Sequence, residues 1–249
     1  MKKYEFTGET KQVEVFLRTV TLHRIKAVVE FGIVKVGDLG GWIEKEENLS
    51  HEGKAWVWGD AEVCGNAKVC GNAEVWGDAE VWGDAEVCGN AEVCGNAKVC
   101  GNAKVCGNAE VWGDAEVWGD AEVCGNAKVC GNAKVCGNAE VWGDAEVCGN
   151  AKVCGNAKVW GDAEVFSASH VLVIGAIGSR NDFTTFYRDK DGEITVKCGC
   201  FLGKIDRFLE KVTATHGNSK YALVYRAAVE VAKLQIDLSR EVLENGNHE

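Results

Sequence analysis

Cysteine and tryptophan are the residues of this chain whose types and spacing could do chemistry. The 249 residues include 13 cysteines and 9 tryptophans but no proline. Eleven of the cysteines lie from Cys64 to Cys154, at separations that are multiples of six residues. Thiols at a fixed spacing can form disulfides or bind a soft metal ion, and tryptophans can pack against a partner. The outcome depends on which structural element repeats every six residues.

A six-residue repeat runs through the middle of the chain. Valine occupies every sixth position from Val57 to Val165, with glycine two residues later and alanine four residues later until Phe166. A helix is excluded, because a glycine in every hexad would cost about 1 kcal/mol each and the apolar period is not 3.6 residues. Each hexad instead predicts a short strand with valine inward and its two neighbours outward, followed by a corner of glycine and asparagine or aspartate. The sequence therefore predicts a β-solenoid.

The repeat resembles the hexapeptide repeat of left-handed parallel β-helices, in which three hexads form one triangular coil. This resemblance implies about six coils over residues 51–166, between an N-terminal cap at residues 1–50 and a C-terminal module at residues 167–249. Residues 22–27, 37–44 and 48–50 resemble the N-terminal segment of YdcK-like hexapeptide-repeat proteins of phages and prophages, a family of uncharacterised function. The resemblance implies a phage or prophage origin and a location in the cytoplasm of the host cell.

Residues eighteen positions apart should stack directly on one another in such a solenoid. The outward position after each valine then forms three columns: Trp58, Trp76, Cys94, Trp112, Cys130 and Cys148; Cys64, Trp82, Cys100, Trp118, Cys136 and Cys154; and Cys70, Cys88, Cys106, Cys124, Trp142 and Trp160. Cysteines stacked about 4.8 Å apart could form disulfides or a soft-metal ladder. We favour a third interpretation, in which cysteine and tryptophan are apolar residues on faces covered by a partner subunit or a terminal domain, because intracellular thiols stay reduced.

The repeat carries the negative charge of the chain. The formal net charge is −11, and residues 55–166 account for all of it with 7 aspartates and 11 glutamates against 7 lysines. This charge argues against direct binding to nucleic acid or to an anionic membrane. An acidic rod could instead occupy a basic groove of a host protein and mimic nucleic acid there. The predicted partner-binding residues are Trp76, Trp82, Trp112, Trp118, Asp78, Asp84, Asp114, Asp120, Glu80 and Glu116.

Residues 167–249 lose the six-residue period and predict a small α+β module. Strands are expected at residues 170–174, 183–187 and 193–196, and the last two should form a hairpin. One amphipathic helix is expected from Leu202 to His216. A second should begin after Ser219 and continue through Leu238 and Val242.

Polar residues of this module could line one pocket. Arg180, Thr184, Thr185 and His216 are predicted to bind an anion or the backbone of a partner. Cys198, Cys200 and His216 are candidate metal ligands, although the spacing offers no clear fourth ligand for zinc. A cysteine–histidine nucleophilic pair is the alternative use of the same residues.

The sequence favours a non-enzymatic interaction protein that binds a host protein, and inhibition of that host protein is the sharpest version of this hypothesis. The alternative suggested by the fold is a hexapeptide-type acyltransferase, but the repeat has no histidine after His51 and no insertion loop. A structural component of a virion or scaffold is a further alternative. No cofactor is expected. The outward apolar columns predict a homo-oligomer, either a trimer or a dimer formed through the C-terminal helices.

Overall fold

The computed structural model describes residues 2–15 and 17–239. It is a β-solenoid of three sheets, here called faces A, B and C, whose coil strands are parallel, with an N-terminal hairpin at one end and a small α+β region at the other. The predicted fold class is therefore confirmed. Two 3₁₀ turns, Glu46–Asn48 and Ala168–His170, lie at the two ends of the solenoid.

Each face is a stack of strands, and those of the solenoid coils are very short. Face A has nine strands, in the spatial order Tyr4–Val15, Arg18–Ala27, Leu39–Ile43, Glu62–Val63, Glu80–Val81, Lys98–Val99, Glu116–Gly119, Lys134–Gly137 and Lys152–Val153. Face B consists of Trp56–Val57, Glu74–Val75, Glu92–Val93, Glu110–Val111, Lys128–Val129, Glu146–Val147 and Glu164–Val165. Face C consists of Lys68–Val69, Glu86–Val87, Lys104–Val105, Glu122–Gly125, Glu140–Gly143 and Lys158–Gly161.

The repeated valine and alanine form the core. Val105 and Ala109 are typical, because both side chains are fully buried and each lies between equivalent residues of the neighbouring coils. The pairing register is eighteen residues throughout the repeat, as in Val87 with Val105 and Val105 with Val123. This register confirms that three hexads make one coil. A core made only of such small side chains depends on contacts between neighbouring coils.

The corner glycines are required both by backbone conformation and by space. Gly107 has a φ of +74°, and a Cβ atom there would lie 2.8 Å from the carbonyl oxygen of Gly125 in the next coil. The asparagine or aspartate that follows each glycine forms a ladder along the corner. For example, the Asn108 amide donates to Asn126 at 2.9 Å and accepts from Asn90 at 3.0 Å.

The solenoid has about seven turns, whereas six coils were expected. The additional first coil lies within the segment expected to be a cap, where Ile43 pairs with Val63 and Leu49 pairs with Val69. Both pairs are twenty residues apart instead of eighteen, because two extra residues are accommodated before Val57. The six-residue phase breaks at that point, and this break hides the first coil from a search for the repeat.

The N-terminal hairpin extends the sheet of face A, and part of it lies over outward side chains of that face. Strands Tyr4–Val15 and Arg18–Ala27 are antiparallel, and the second pairs with Leu39–Ile43. Val20 and Leu22 pack against Cys64 beneath the hairpin. The open end of the core is closed by Trp56, which is fully buried.

The C-terminal region is a four-stranded antiparallel sheet with two helices. Its strands are Val171–Ile177, Asp182–Arg188, Ile194–Cys198 and Phe201–Lys204, and its helices are α1 (Ile205–His216) and α2 (Lys220–Gln235). The hairpin predicted around residues 189–192 is confirmed. Leu202 lies in the fourth strand and not in the first helix, because it continues the pairing with Ile194–Cys198.

The second helix begins after Ser219, as predicted, but it ends at Gln235. Leu238 therefore lies beyond the helix, and Val242 lies outside the described residues. Within residues 2–15 and 17–239, no helix combines the length and the apolar character that crossing a bilayer requires.

The C-terminal sheet caps the last coil through buried polar contacts. The Tyr187 hydroxyl donates to the carbonyl oxygen of Trp160 at 2.7 Å and accepts from its amide at 3.3 Å. Arg188 is almost fully buried, and its guanidinium lies 3.4 Å from the Glu164 carboxylate. These contacts satisfy backbone groups that the last coil would otherwise expose.

Candidate functional site

The three predicted outward columns are present in the structure. Cys124 stacks on Trp142 and Trp142 on Trp160 on face C, while Trp118 stacks on Cys136 on face A. Part of this surface is covered by the terminal regions, as we expected. The indole rings of Trp142 and Trp160 are parallel with centroids 4.8 Å apart, and the Lys197 ammonium lies 3.7 Å from the Trp160 ring centroid.

Six cysteines of the columns form disulfides. The pairs are Cys106–Cys124, Cys130–Cys148 and Cys136–Cys154, with Cα–Cα distances of 4.7, 4.5 and 4.6 Å. The interpretation that the column cysteines are unbonded apolar residues is wrong for these six. In-register parallel strands bring each pair of Cα atoms within the range that a disulfide can span.

The remaining column cysteines are thiols. Cys64, Cys94 and Cys100 have no cysteine next to them in their columns, whereas Cys70 and Cys88 are adjacent. Burial raises the pKa of Cys64 to about 12 and that of Cys100 to about 11. Such thiols are poor nucleophiles at neutral pH.

An apolar groove crosses face A. Trp82 and Trp118 flank Cys100 along one column, and Lys98 and Glu116 lie beside them, enclosing a groove of about 450 Å³. Trp118 is 42% exposed, and Trp76, at the equivalent position on face B, is 43% exposed. Two of the predicted aromatic residues, Trp82 and Trp118, are therefore brought to one groove.

The predicted acidic residues differ in how far they are neutralised. Glu80 and Glu116 of face A form ion pairs with Lys98 at 2.8 Å and with Lys134 at 3.0 Å. The aspartates lie in two corner columns, Asp78 with Asp114 and Asp84 with Asp120. Asparagine amides of the preceding coil donate to three of them, Asp84, Asp114 and Asp120, at 2.7 to 3.0 Å. Because lysines neutralise Glu80 and Glu116, these face A glutamates contribute little negative potential.

The strongest acidic feature lies on face B and was not singled out from the sequence. Glu74, Glu92 and Glu110 stack in register on three successive coils. The next residue of the column, Lys128, lies 3.9 Å from Glu146 on its other side. Burial, followed by repulsion from Glu110 and Glu74, raises the pKa of Glu92 above its usual range. Reading the residue before each valine at intervals of eighteen residues shows this run of three glutamates in the sequence.

No family model matches the chain, and no curated protein matches it. The resemblance to phage proteins remains an expectation from the sequence.

The C-terminal region contains a pocket of about 190 Å³ between its sheet and helix α1. Arg180, Cys198, Cys200 and His216 line it, so four of the predicted residues converge although they are far apart in sequence. The pocket is also lined by Ser179, Asp182, Phe201, Lys211 and Tyr225. Burial, with a smaller contribution from Cys198, raises the pKa of Tyr225 to about 12.

The two predicted threonines are not part of the lining. Thr184 lies behind the pocket, where its hydroxyl donates to the Cys198 sulfur at 3.3 Å. Thr185 lies at the junction with the solenoid and accepts from the Lys158 amide at 2.9 Å. Both are buried and have structural contacts, so a direct role in ligand binding is not supported for either.

The structure does not assemble the predicted metal site. In the part of the chain that the structure describes, no group of three or more histidine, cysteine, aspartate or glutamate side chains is arranged to hold a metal ion. Cys198, Cys200 and His216 line the same pocket, but they do not form such a group.

Proposed function

We propose that the protein is a non-enzymatic binding protein whose face B binds a lysine- or arginine-rich segment of another protein. The observation that carries this proposal is the column of Glu74, Glu92 and Glu110. The strand spacing places the backbones of these three residues about 4.8 Å apart, and the lysine next to them faces another glutamate. A cationic partner would relieve the repulsion among them.

The adjacent column supplies apolar contacts to the same partner. Trp76 and Trp112 lie two residues after Glu74 and Glu110, on the same side of their strands, with Cys94 between them along the column. Arginine and lysine side chains pack well on indole rings, and such contacts contribute about 0.5 to 1 kcal/mol at exposed sites. Parallel rows of carboxylates and indoles therefore suit an extended basic segment that runs along the solenoid axis.

A pull-down experiment with matched charge variants tests the proposal. The triple variant Glu74→Gln, Glu92→Gln and Glu110→Gln removes three charges from face B. The control variant Glu80→Gln, Glu116→Gln and Glu140→Gln also removes three, but each of these carboxylates already faces a lysine. A partner captured from a bacterial lysate should be lost by the first variant and kept by the control.

The salt dependence gives a second readout. Binding through exposed carboxylates should weaken as the Debye length falls from about 10 Å at 0.1 M salt to about 3 Å at 1 M. Equal losses for both triple variants, or a partner that needs only residues 167–249, would contradict the role of face B.

We further propose that the partner is a host protein and that the chain is of phage or prophage origin. The sequence resemblance supports this finer version. It is tested by whether the captured bacterial protein has a basic groove and loses activity when the intact chain is added. Capture without any effect on activity would favour the scaffold alternative.

Self-association is proposed through helix α2. Its outward side exposes Leu223, Val231 and Leu234, and Leu234 is 90% exposed. Light scattering at micromolar concentration should give a mass above that of one chain, 26.8 kDa. A monomer at all concentrations tested would contradict this proposal.

A second candidate function is the binding of a small anion in the C-terminal pocket. Arg180 and Lys211 both line the pocket, and neither forms an ion pair with any other described residue. Inorganic phosphate should raise the melting temperature of the wild type and not that of Arg180→Ala. An equal rise in both would show that the pocket is not the site.

A further inference from the structure

One column of face C combines two thiols with a disulfide. Cys70, Cys88, Cys106 and Cys124 occupy the same position on four successive coils. Cys106 and Cys124 are joined by a disulfide, whereas Cys70 and Cys88 are thiols. All four side chains are half-buried, so small reagents can reach them.

Cys70 and Cys88 have the same eighteen-residue register as the cysteines of the three disulfides. Each successive pair of the column is eighteen residues apart in an in-register parallel pairing. The backbone spacing is uniform, since the amides of Cys70, Cys88 and Cys106 donate to the next coil at 3.0, 2.9 and 2.9 Å. The two thiols are also in hydrogen-bonding contact with each other, and burial, followed by the neighbouring Cys70, raises the pKa of Cys88, so its thiolate is more abundant at alkaline pH. Any two neighbours in this column can therefore be joined without moving the backbone.

The other two disulfides lack a neighbouring thiol in their columns. Cys130–Cys148 has Trp112 on one side and Phe166 on the other, and Cys136–Cys154 follows Trp118. Among the described residues, the Cys106–Cys124 disulfide is thus the one with a free cysteine directly next to it along the solenoid.

We propose that this column is a thiol–disulfide exchange site, in which the disulfide moves along the solenoid by one coil at a time. In the first step the Cys88 thiolate attacks the Cys106 sulfur. The Cys88–Cys106 bond forms, the Cys106–Cys124 bond breaks, and Cys124 leaves as a thiolate that takes up the proton lost by Cys88.

In the second step the Cys70 thiolate attacks Cys88. The Cys70–Cys88 bond forms, and Cys106 leaves and takes up the proton lost by Cys70. The two steps together are an isomerisation, so no external oxidant or reductant is consumed. Because each product joins neighbours with the same spacing, the isomers should reach comparable populations.

The external substrate of this site is a low-molecular-weight disulfide. Attack of the Cys70 thiolate on such a molecule, for example oxidised glutathione, forms a mixed disulfide and releases one small thiol. Attack of Cys88 on the Cys70 sulfur then releases the second small thiol and leaves a Cys70–Cys88 disulfide. The two electrons lost by the cysteine pair end on the two released thiols.

Peptide mapping can distinguish every state of the column. Cleavage after lysine yields residues 69–98, with Cys70, Cys88 and Cys94, and residues 105–128, with Cys106 and Cys124. Full-length protein is incubated anaerobically at pH 8.5, quenched with acid, and labelled with N-ethylmaleimide before digestion. We expect part of peptide 69–98 to carry one label and an internal disulfide, and an equal part of peptide 105–128 to carry two labels.

Variants separate the two steps. Cys70→Ser blocks the second step, so peptides 69–98 and 105–128 should become joined through Cys88 and Cys106. Cys94→Ser, on face B, is the matched control and should behave as the wild type does. The double variant Cys106→Ser and Cys124→Ser should keep Cys70 and Cys88 reduced until oxidised glutathione is added, and then form their disulfide. Circular dichroism checks that each variant is folded.

Two results would overturn the proposal. The first result has two parts: peptide 69–98 of the wild type always carries three labels, and the Cys70→Ser variant gives no joined peptides. The other is a folded double variant in which oxidised glutathione leaves Cys70 and Cys88 unpaired.

Discussion

The stacking of the corners can be measured with two glycine-to-alanine variants. Gly107 and Gly155 have nearly equal φ angles, +74° and +71°. A Cβ atom at Gly107 would lie 2.8 Å from the oxygen and 3.0 Å from the nitrogen of Gly125, whereas a Cβ atom at Gly155 would have nothing within 4 Å. The pair therefore separates the cost of the backbone conformation from the cost of contact between coils.

The expected magnitudes follow from these contacts. The left-handed conformation costs alanine about 1 to 2 kcal/mol at either position. At Gly107 the next coil must also move away, which strains the hydrogen bond from the Asn108 amide to the Gly125 oxygen, 2.7 Å long. Overpacking of this kind costs about 1 to 3 kcal/mol. Gly107→Ala should thus lose about 2 kcal/mol more than Gly155→Ala.

Urea titration followed by circular dichroism provides the assay. The effect of alanine on the unfolded chain is the same for both variants, so it cancels in the difference. An unchanged dependence of the free energy on urea concentration would show that both variants unfold as the wild type does. Equal losses of stability for the two variants would refute the reasoning about contact between coils.

Three further predictions concern single side chains. Because the folded state raises the pKa of Glu92, its ionisation opposes folding, and this penalty grows as the pH rises through the raised pKa. Glu92→Gln should therefore stabilise the protein by roughly 0.5 kcal/mol at pH 7 and not at pH 3.5, as measured by thermal unfolding; the same gain at both pH values would contradict this. Tyr187→Phe should cost about 1 to 3 kcal/mol in the same assay, because it leaves backbone groups of Trp160 without their partner, whereas Tyr221→Phe should cost little. Cys100 should react with N-ethylmaleimide slowly at pH 7, because its pKa is raised to about 11. The rate should rise about tenfold per pH unit towards that pKa. A rate that levels off below pH 9 would contradict the raised pKa.

The repeat was readable because each of its positions has a local physical requirement. Glycine at the corner, valine inside and alanine next to the corner each allow few substitutes, so the pattern persists over residues 57–165. The first coil was missed because the two-residue insertion before Val57 breaks the phase. Leu202 was assigned to a helix because its spacing fits one, while pairing with Ile194–Cys198 places it in a strand.

The candidate sites were predicted less completely. The sequence indicated the columns, but it favoured the glutamates of face A over Glu74, Glu92 and Glu110. The choice between them depends on which charges are neighbours, and ion pairs such as Lys98 with Glu80 follow from the coil register. In the C-terminal region, Arg180 and His216 reach one pocket only through the packing of helix α1 on the sheet.

The sequence by itself determined the solenoid, because the period of six and the conformational limits of its residues act within a single hexad. Its resemblance to hexapeptide-repeat proteins implied the three-hexad coil and, with it, the membership of each outward column. Only the tertiary structure decided which cysteines are bonded, which carboxylates are neutralised and which faces are covered by the terminal regions. Those outcomes depend on distances of a few ångströms between side chains eighteen or more residues apart, and such distances are fixed only when the coils stack.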